Sequence, residues 1–359
     1  MSRRTALVMA GGTGGHIFPG LAVAEALRAE GWQVHWLGAP APSMEHQLVP
    51  PRGFAFESVA FSGVRGKGWQ TLLALPLQLL RAFAQSVAVL RRVRPQVVVG
   101  LGGYITFPAG LMAVLLNKPL VLHEQNSVAG MANRVLAHIA DRIFTAFPQV
   151  LPRAEWVGNP LRPAFLQQAA PAARYAARTG PLRLLVVGGS LGAQALNTLV
   201  PQALALLAPE ARPIVTHQSG AKQIDALRAA YAQAGVEATL TPFIDDTAQA
   251  FAQADLVITR AGASTVTELA AVGVPAVYVP FPHAVDDHQT HNARFVVEAG
   301  GGWLMPQHTL SAEALAAHLR GLDRAMLLAH AERAWGLRQI HASAALVAAC
   351  DTLASGTTS

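Results

Sequence analysis

Apolar residues along the chain gather in short runs that end on glycine or polar turns, the pattern of strands buried on both faces of a parallel sheet. Thr5 to Ala10 reads as such a strand. It is followed by the loop GGTGGH and by a helical pattern from Pro19 to Ala29, in which Leu21, Ala24 and Leu27 share a face. The same order returns mid-chain: Pro181, a strand from Leu182 to Val187, the loop GGSLGA, and a helix through Ala195, Leu199 and Leu204. Two such openings predict an α/β protein with two Rossmann-like, parallel-sheet domains in tandem. Further strands are predicted at Val97–Gly100 ahead of Gly102, Gly103 and Tyr104, and at Leu120–Leu122 ahead of His123, Glu124, Gln125 and Asn126. The second half offers Leu256–Thr259 ahead of Arg260, Ala261 and Gly262, and Ala276–Val279 ahead of Pro280. Ligands of open parallel sheets bind beyond the carboxyl ends of the strands, so these turns are expected to line a cleft.

The turn-rich stretch Val157–Pro163 and the alanine-rich stretch Ala169–Gly180 separate the two patterns. They divide the chain into residues 1–162 and 163–339, with a last apolar helix at about 340–354 expected to pack back on the first domain. A length of 359 residues suits two such cores.

Charged residues make up only 13% of the chain, and the net charge of +6 favours anionic partners. The arginines are scattered singly, without the basic runs and interleaved aromatics of a strand-binding surface, so nucleic acid is not expected. Cys350 is the only cysteine, which excludes an intrachain disulfide and fits a reducing cytoplasm. The apolar stretch Ala6–Ala10 is broken by Gly11 and Gly12 too early for a signal peptide, and no apolar run approaches the roughly 18 to 20 residues of a membrane span. The expectation is a soluble protein, at most peripheral.

The glycine loops do not complete a dinucleotide fingerprint. Gly12 and Gly14 fit its first half, but Ile17 takes the place of the third glycine and the second strand, Val34–Leu37, ends in Gly38 and Ala39 rather than an acid. What both loops share is small residues at a helix N-terminus, where free amides and the dipole attract phosphate. In RAGASTVTELAAVGVPAV, Ser264 and Thr265 read as cap and first turn, and Glu268 lies one turn on, placed to grip a diol such as a ribose. Arg162 is placed to reach phosphate. His283, Asp286, Asp287, His288 and His291 cluster in sequence but match no helical metal-binding spacing; with Gln289 and Asn292 they read as a hydroxyl-binding loop, and no metal is expected. His16 stands where a positive helix end disfavours an imidazolium, which suits a general base. Each feature also has a plain structural reading as a tight turn, a cap or a surface charge.

GGTGGHIFPGLAVA (Gly11–Ala24), GGYITFPAG (Gly102–Gly110), HEQN (His123–Asn126), GNPLR, GGSLGA and the stretch Arg260 to Glu268 occur in an order and spacing that resemble the MurG family over nearly the whole chain. The resemblance implies a GT-B fold and an inverting glycosyl transfer without metal or cofactor. The implied reaction moves N-acetylglucosamine from UDP-N-acetylglucosamine (UDP-GlcNAc) to the muramyl 4-hydroxyl of undecaprenyl-linked lipid I, giving the β-1,4 linkage of lipid II in peptidoglycan synthesis. It implies donor contacts at Thr13, Gly14, Gly15, Asn126, Arg162, Ser190, Ile244, Ala263, Ser264, Thr265, Val266, Thr267, Glu268 and Gln289, with the Ile244 backbone near the uracil and Glu268 on the ribose. His16 is the expected base and Glu124 the next candidate, with Gly102, Gly103 and Tyr104 near acceptor or diphosphate. His288 stands where the family usually has glutamine, which leaves its part in sugar recognition open.

A lipid acceptor implies a peripheral protein on the anionic cytoplasmic face of the inner membrane, with other cell-wall and division proteins as further partners. Trp69 to Arg92 is the expected contact, through Leu72, Leu73, Leu75, Leu77, Leu79, Leu80 and Phe83 with Arg65, Lys67, Arg81, Arg91 and Arg92 beside them. Another GT-B glycosyltransferase, a nucleotide-sugar epimerase, a non-catalytic nucleotide-sugar sensor and a dinucleotide oxidoreductase remain as alternatives.

Overall fold

The computed structural model describes residues 4–61, 69–189 and 192–356. Two units emerge: one runs to Arg162 and takes in the segment from Gln339 onward, the other runs from Pro163 to Arg338.

In the first unit β1 (Thr5–Met9), β2 (Gln33–Gly38), β3 (Ala55–Ser58), β4 (Val97–Gly100), β5 (Leu120–Glu124), β6 (Arg142–Thr145) and β7 (Glu155–Trp156) form one sheet in the order β3-β2-β1-β4-β5-β6-β7, every pair parallel. The second unit repeats the plan. There β8 (Arg183–Val187), β9 (Ile214–Gln218), β10 (Thr239–Thr241), β11 (Leu256–Thr259), β12 (Ala276–Tyr278) and β13 (Gly302–Leu304) lie in the order β10-β9-β8-β11-β12-β13, again parallel. In each sheet the strand order reverses beside the first strand, between β1 and β4 and between β8 and β11. A crevice for ligands opens at such a point, beyond the carboxyl ends of the strands.

Alternation along β1 explains the first unit's layers. Ala6, Val8 and Ala10 face a core closed by helix Gly14–Ala29 and by helix Ala342–Gly356, whose Leu346 and Cys350 are fully buried there. Leu7 and Met9 face the opposite core, with Ala82, Val89 and Leu90 of helix Trp69–Val93 and Ala109 and Ala113 of helix Thr106–Leu115. The second unit's core is built around Val186, Ile258 and Val277 on neighbouring strands, with Leu196, Val200 and Leu204 of helix Gln194–Ala205.

Three local expectations change. The first helix starts at Gly14, five residues before Pro19, because the Thr13 carbonyl accepts from the amides of both His16 and Ile17 and closes the first turn ahead of the proline. β5 runs two residues past Leu122, so His123 and Glu124 are strand residues, fully buried, and hydrogen bonds to both make that burial tolerable. Finally, Leu73–Val93 is long and apolar enough to cross a membrane by length and composition, although Arg81 interrupts the run in sequence. One face of that helix, Ala82, Ser86, Val89 and Leu90, is already buried in the protein core.

Candidate functional site

Beyond β1 the chain turns through Gly11 and Gly12, the latter at φ +91°, and enters its helix at Gly14 with Thr13 as N-cap. The Thr13 side chain makes no capping bond. The amides of Gly14 and Gly15 stand at the helix end, where intrahelical bonds cannot reach them. The Gly12 amide is occupied: it donates to Glu45 Oε2 at 3.3 Å, while Glu45 Oε1 accepts from Ala39 N at 3.0 Å. Glu45 is buried and escapes sequence reading, since nothing in residues 43–47 announces that this acid folds under a loop 33 positions away.

The β4 turn packs directly on this loop. A Cβ on Gly103 would stand 2.5 Å from the Gly11 carbonyl oxygen, and one on Gly102 2.8 Å from His16 Nδ1, so both positions demand glycine on contact as well as on φ. Tyr104 lies beside them, its hydroxyl pushed up by burial and by the Glu45 carboxylate. His16 Nδ1 is 2.8 Å from Gln125 Oε1. Gln125 Nε2 is 3.1 Å from His123 Nδ1 and 3.2 Å from the His123 carbonyl, and His123 Nε2 is 2.8 Å from the Gly158 carbonyl. Burial holds His123 down at about 4, with the Gly158 hydrogen bond acting in the opposite sense. His123 and Gln125 project to one side of the strand and Glu124 to the other, the period of two that a buried extended segment imposes.

Glu124, the second candidate base, is engaged elsewhere. Its carboxylate accepts from Asn126 N at 2.9 Å, Gly130 N at 3.0 Å and Asn133 Nδ2 at 2.9 Å, which holds the loop that carries Asn126. Arg162 lies over the Phe18 ring at 5.9 Å, which brings it to the first helix.

In the second unit, Gly189 and Gly192 both take positive φ after β8, and a Cβ on Gly192 would collide with the Ser219 carbonyl at 2.1 Å. Ser190 lies outside the described residues. Helix Ala263–Val272 begins two residues earlier than a serine cap would place it: Gly262 is the N-cap, and Ser264 sits in the first turn. Its Oγ is buried and has no hydrogen-bond partner. Val266 anchors the helix in the core, Thr267 Oγ1 donates to the Ala263 carbonyl at 2.9 Å, and Glu268 is half-buried one turn beyond Ser264. Thr265 is half-buried in the same first turn. Gln289 Oε1 accepts from Ala261 N at 3.2 Å and Phe281 N at 2.9 Å, joining the turns after β11 and β12. Asn292 serves the same turn, donating to the Ala261 carbonyl at 3.2 Å. Arg260, its guanidinium bonded to the carbonyls of Val279 and Pro280 and to Gln307 Oε1, braces the floor beneath them. Ile244 is half-buried beyond β10, next to the exposed Phe243.

Residues 6–145 match the glycosyltransferase family 28 N-terminal domain, and residues 183–343 match the family 28 C-terminal domain. The chain belongs to glycosyltransferase family 28. A family 28 relative from Paracidovorax citrulli (strain AAC00-1), named UDP-N-acetylglucosamine--N-acetylmuramyl-(pentapeptide) pyrophosphoryl-undecaprenol N-acetylglucosamine transferase, is 70% identical over 350 residues, 98% of either chain. One of the same name from Burkholderia multivorans is 61% identical, over 98% of this chain and 97% of its own. Among solved structures, the MurG of Acinetobacter baumannii superposes with a TM-score of 0.86 at 38% identity, covering 97% of this chain and 99% of that one. The calicheamicin glycosyltransferase CalG4, at 17% identity and a TM-score of 0.70, shares the fold over the whole of both chains. The two parallel α/β units, which the sequence pattern predicts, are those of a GT-B glycosyltransferase, as the resemblance implies.

Proposed function

We propose that this family 28 enzyme transfers N-acetylglucosamine from UDP-N-acetylglucosamine to the 4-hydroxyl of the muramyl residue of an undecaprenyl-pyrophosphoryl muramyl pentapeptide, with inversion at the anomeric carbon. The observation that carries this reading is the 70% identity, over 98% of the chain, to an enzyme named for that reaction.

The geometry supports it. The end of helix Ala263–Val272 presents amides, a positive dipole and the unpartnered Ser264 hydroxyl, a donor set suited to a diphosphate. Glu268, one turn on, suits the ribose hydroxyls, and the Gln289 amide nitrogen suits a sugar hydroxyl. Charge developing on the leaving diphosphate is met by groups already fixed by the fold, so little reorganisation is needed in the transition state. His16 takes the proton from the attacking hydroxyl while the bond from that oxygen to the anomeric carbon forms and the bond to UDP breaks. Glu124 acts as a positioning residue for the Asn126 loop.

For a lipid-linked acceptor the exposed side of helix Trp69–Val93 is the membrane contact. Leu73, Leu77 and Leu80 form a stripe on the face opposite the buried Ala82, Ser86 and Val89, and Arg81 and Arg91 stand exposed among them for anionic headgroups. Arg65 and Lys67 lie outside the described residues.

The test is UDP release from UDP-N-acetylglucosamine with and without a short-chain lipid-linked muramyl pentapeptide. UDP should appear only with the acceptor, together with the disaccharide product. Release without acceptor, or none with it, overturns the assignment.

A further inference from the structure

We infer that Gln125 and His123 are positioning residues that set the tautomer of His16, so that its Nδ1 carries the proton and its Nε2 is left bare to act as the base. This rests on the reading of His16 as the base and assigns which atom does the work.

The direction of every bond in the chain follows from its far end. A carbonyl oxygen only accepts, so the 2.8 Å contact between His123 Nε2 and the Gly158 carbonyl requires the proton on Nε2. Burial keeps the His123 ring neutral, so its Nδ1 is an acceptor. The group facing that acceptor at 3.1 Å must therefore be the Gln125 NH₂, which also faces the His123 carbonyl at 3.2 Å. Two acceptors on the same side leave the amide one orientation. Gln125 Oε1 is thereby turned toward His16 Nδ1 at 2.8 Å, and an amide oxygen can receive only a proton donor there. A neutral imidazole with a protonated Nδ1 has its lone pair on Nε2.

Packing shows that this arrangement is built. His123 and Gln125 are buried, and Gly102, at φ +87°, leaves room for the contact: a Cβ there would meet His16 Nδ1 at 2.8 Å and Gln125 Oε1 at 3.3 Å. The first helix, β5 with the turn that follows it, and the turn after β7 are joined by this one set of bonds, and the β4 turn packs against it through Gly102. During transfer the acceptor's O–H bond breaks and its proton passes to His16 Nε2, while the electron pair of the breaking glycosidic bond leaves with UDP. The proton on His16 Nδ1 stays there throughout, donated to Gln125 Oε1, so the ring accepts and returns a proton at Nε2 without reorienting.

Nitrogen NMR of the full-length protein with ¹⁵N-labelled histidine, with the His16 signals identified by their loss in His16→Ala, reads the tautomer directly. At a pH where the ring is neutral, His16 should show a protonated Nδ1 and a bare Nε2; a proton on Nε2 instead overturns the proposal without need of any further variant. In turnover of the short-chain lipid-linked acceptor, Gln125→Met should lower kcat by about 10- to 10²-fold with little change in the KM for UDP-N-acetylglucosamine. Gln125→Glu still accepts from Nδ1 but adds an anion that favours the imidazolium, so it should move the acid limb of the kcat/KM profile to higher pH. Near-wild-type turnover in His16→Ala overturns the base itself. An inactive His16→Ala beside a Gln125→Met of wild-type kcat, or a Gln125→Glu with an unmoved acid limb, overturns the relay alone.

Discussion

At Gly102 a missing methyl group decides what a neighbouring side chain can do. Gly102→Ala would force a non-glycine residue into left-handed backbone, at about 1–2 kcal/mol, and press its Cβ against His16 Nδ1. The expected outcome is a modest fall in melting temperature with a larger fall in kcat than in donor affinity. A variant that loses stability but keeps kcat would show that Gly102 serves only the turn. Buried histidines also make stability depend on pH. His123 is held at about 4 and His217, bonded to Tyr231 Oη at 3.0 Å and Asn197 Oδ1 at 3.1 Å, at about 3, both by burial. An unfolded histidine titrates near 6.5, so below about pH 6.5 the unfolded chain binds protons that the folded chain refuses. This contribution is therefore complete above about pH 6.5 and is lost as pH falls from there through about 4 for His123 and about 3 for His217. Thermal unfolding across that range should show a steeper loss in the wild type than in His217→Gln, which removes one such group. Single residues were also where sequence reading was weakest. Ser264 is recognisable as a helix-start residue, but only the φ, ψ of Gly262 shows that the cap lies two positions earlier and the serine hydroxyl is left unpaired.

Among the elements, helix Ala342–Gly356 closes one face of the first sheet although it follows the second unit in sequence. Trp32 Nε1 and Arg4 both bond to Asp351, which fixes the helix beside the start of β1. Leu346→Ala should cost about 2–5 kcal/mol in urea unfolding, the usual result of a cavity in a core. The half-buried Leu353 should cost clearly less on the same change, and equal costs would mean the helix is only loosely held. Strands of continuous apolar residues were legible because parallel sheets bury both faces. β5 was not legible to its end, since His123 and Glu124 look like turn residues until their hydrogen bonds are seen. Helix Trp69–Val93 has two apolar faces, and sequence cannot say which one the protein covers. With Leu73, Leu77 and Leu80 exposed, Leu77→Glu with Leu80→Glu should strongly weaken co-sedimentation with anionic lipid vesicles while leaving the melting temperature unchanged. Undiminished binding would place the contact elsewhere.

For the molecule as a whole, the charge of +6 adds a long-range attraction to acidic surfaces. It is screened as the Debye length contracts from about 10 Å at 0.1 M salt to about 3 Å at 1 M. Vesicle binding should therefore weaken with salt to a floor set by the exposed leucines, and the double glutamate variant should lose that floor. Salt-independent binding would mean that charge plays no part. Sequence alone determined the two parallel-sheet units, their glycine turns and the family, because apolar runs, helix starts and obligatory glycines are local or ordered constraints written along the chain. Tertiary structure decided that Glu45 occupies the Gly12 amide, that Glu124 braces a loop, and that His123 and Gln125 lead from Gly158 to His16. These roles depend on distance and hydrogen-bond direction between residues far apart in the chain, and only the folded backbone brings their atoms into one line.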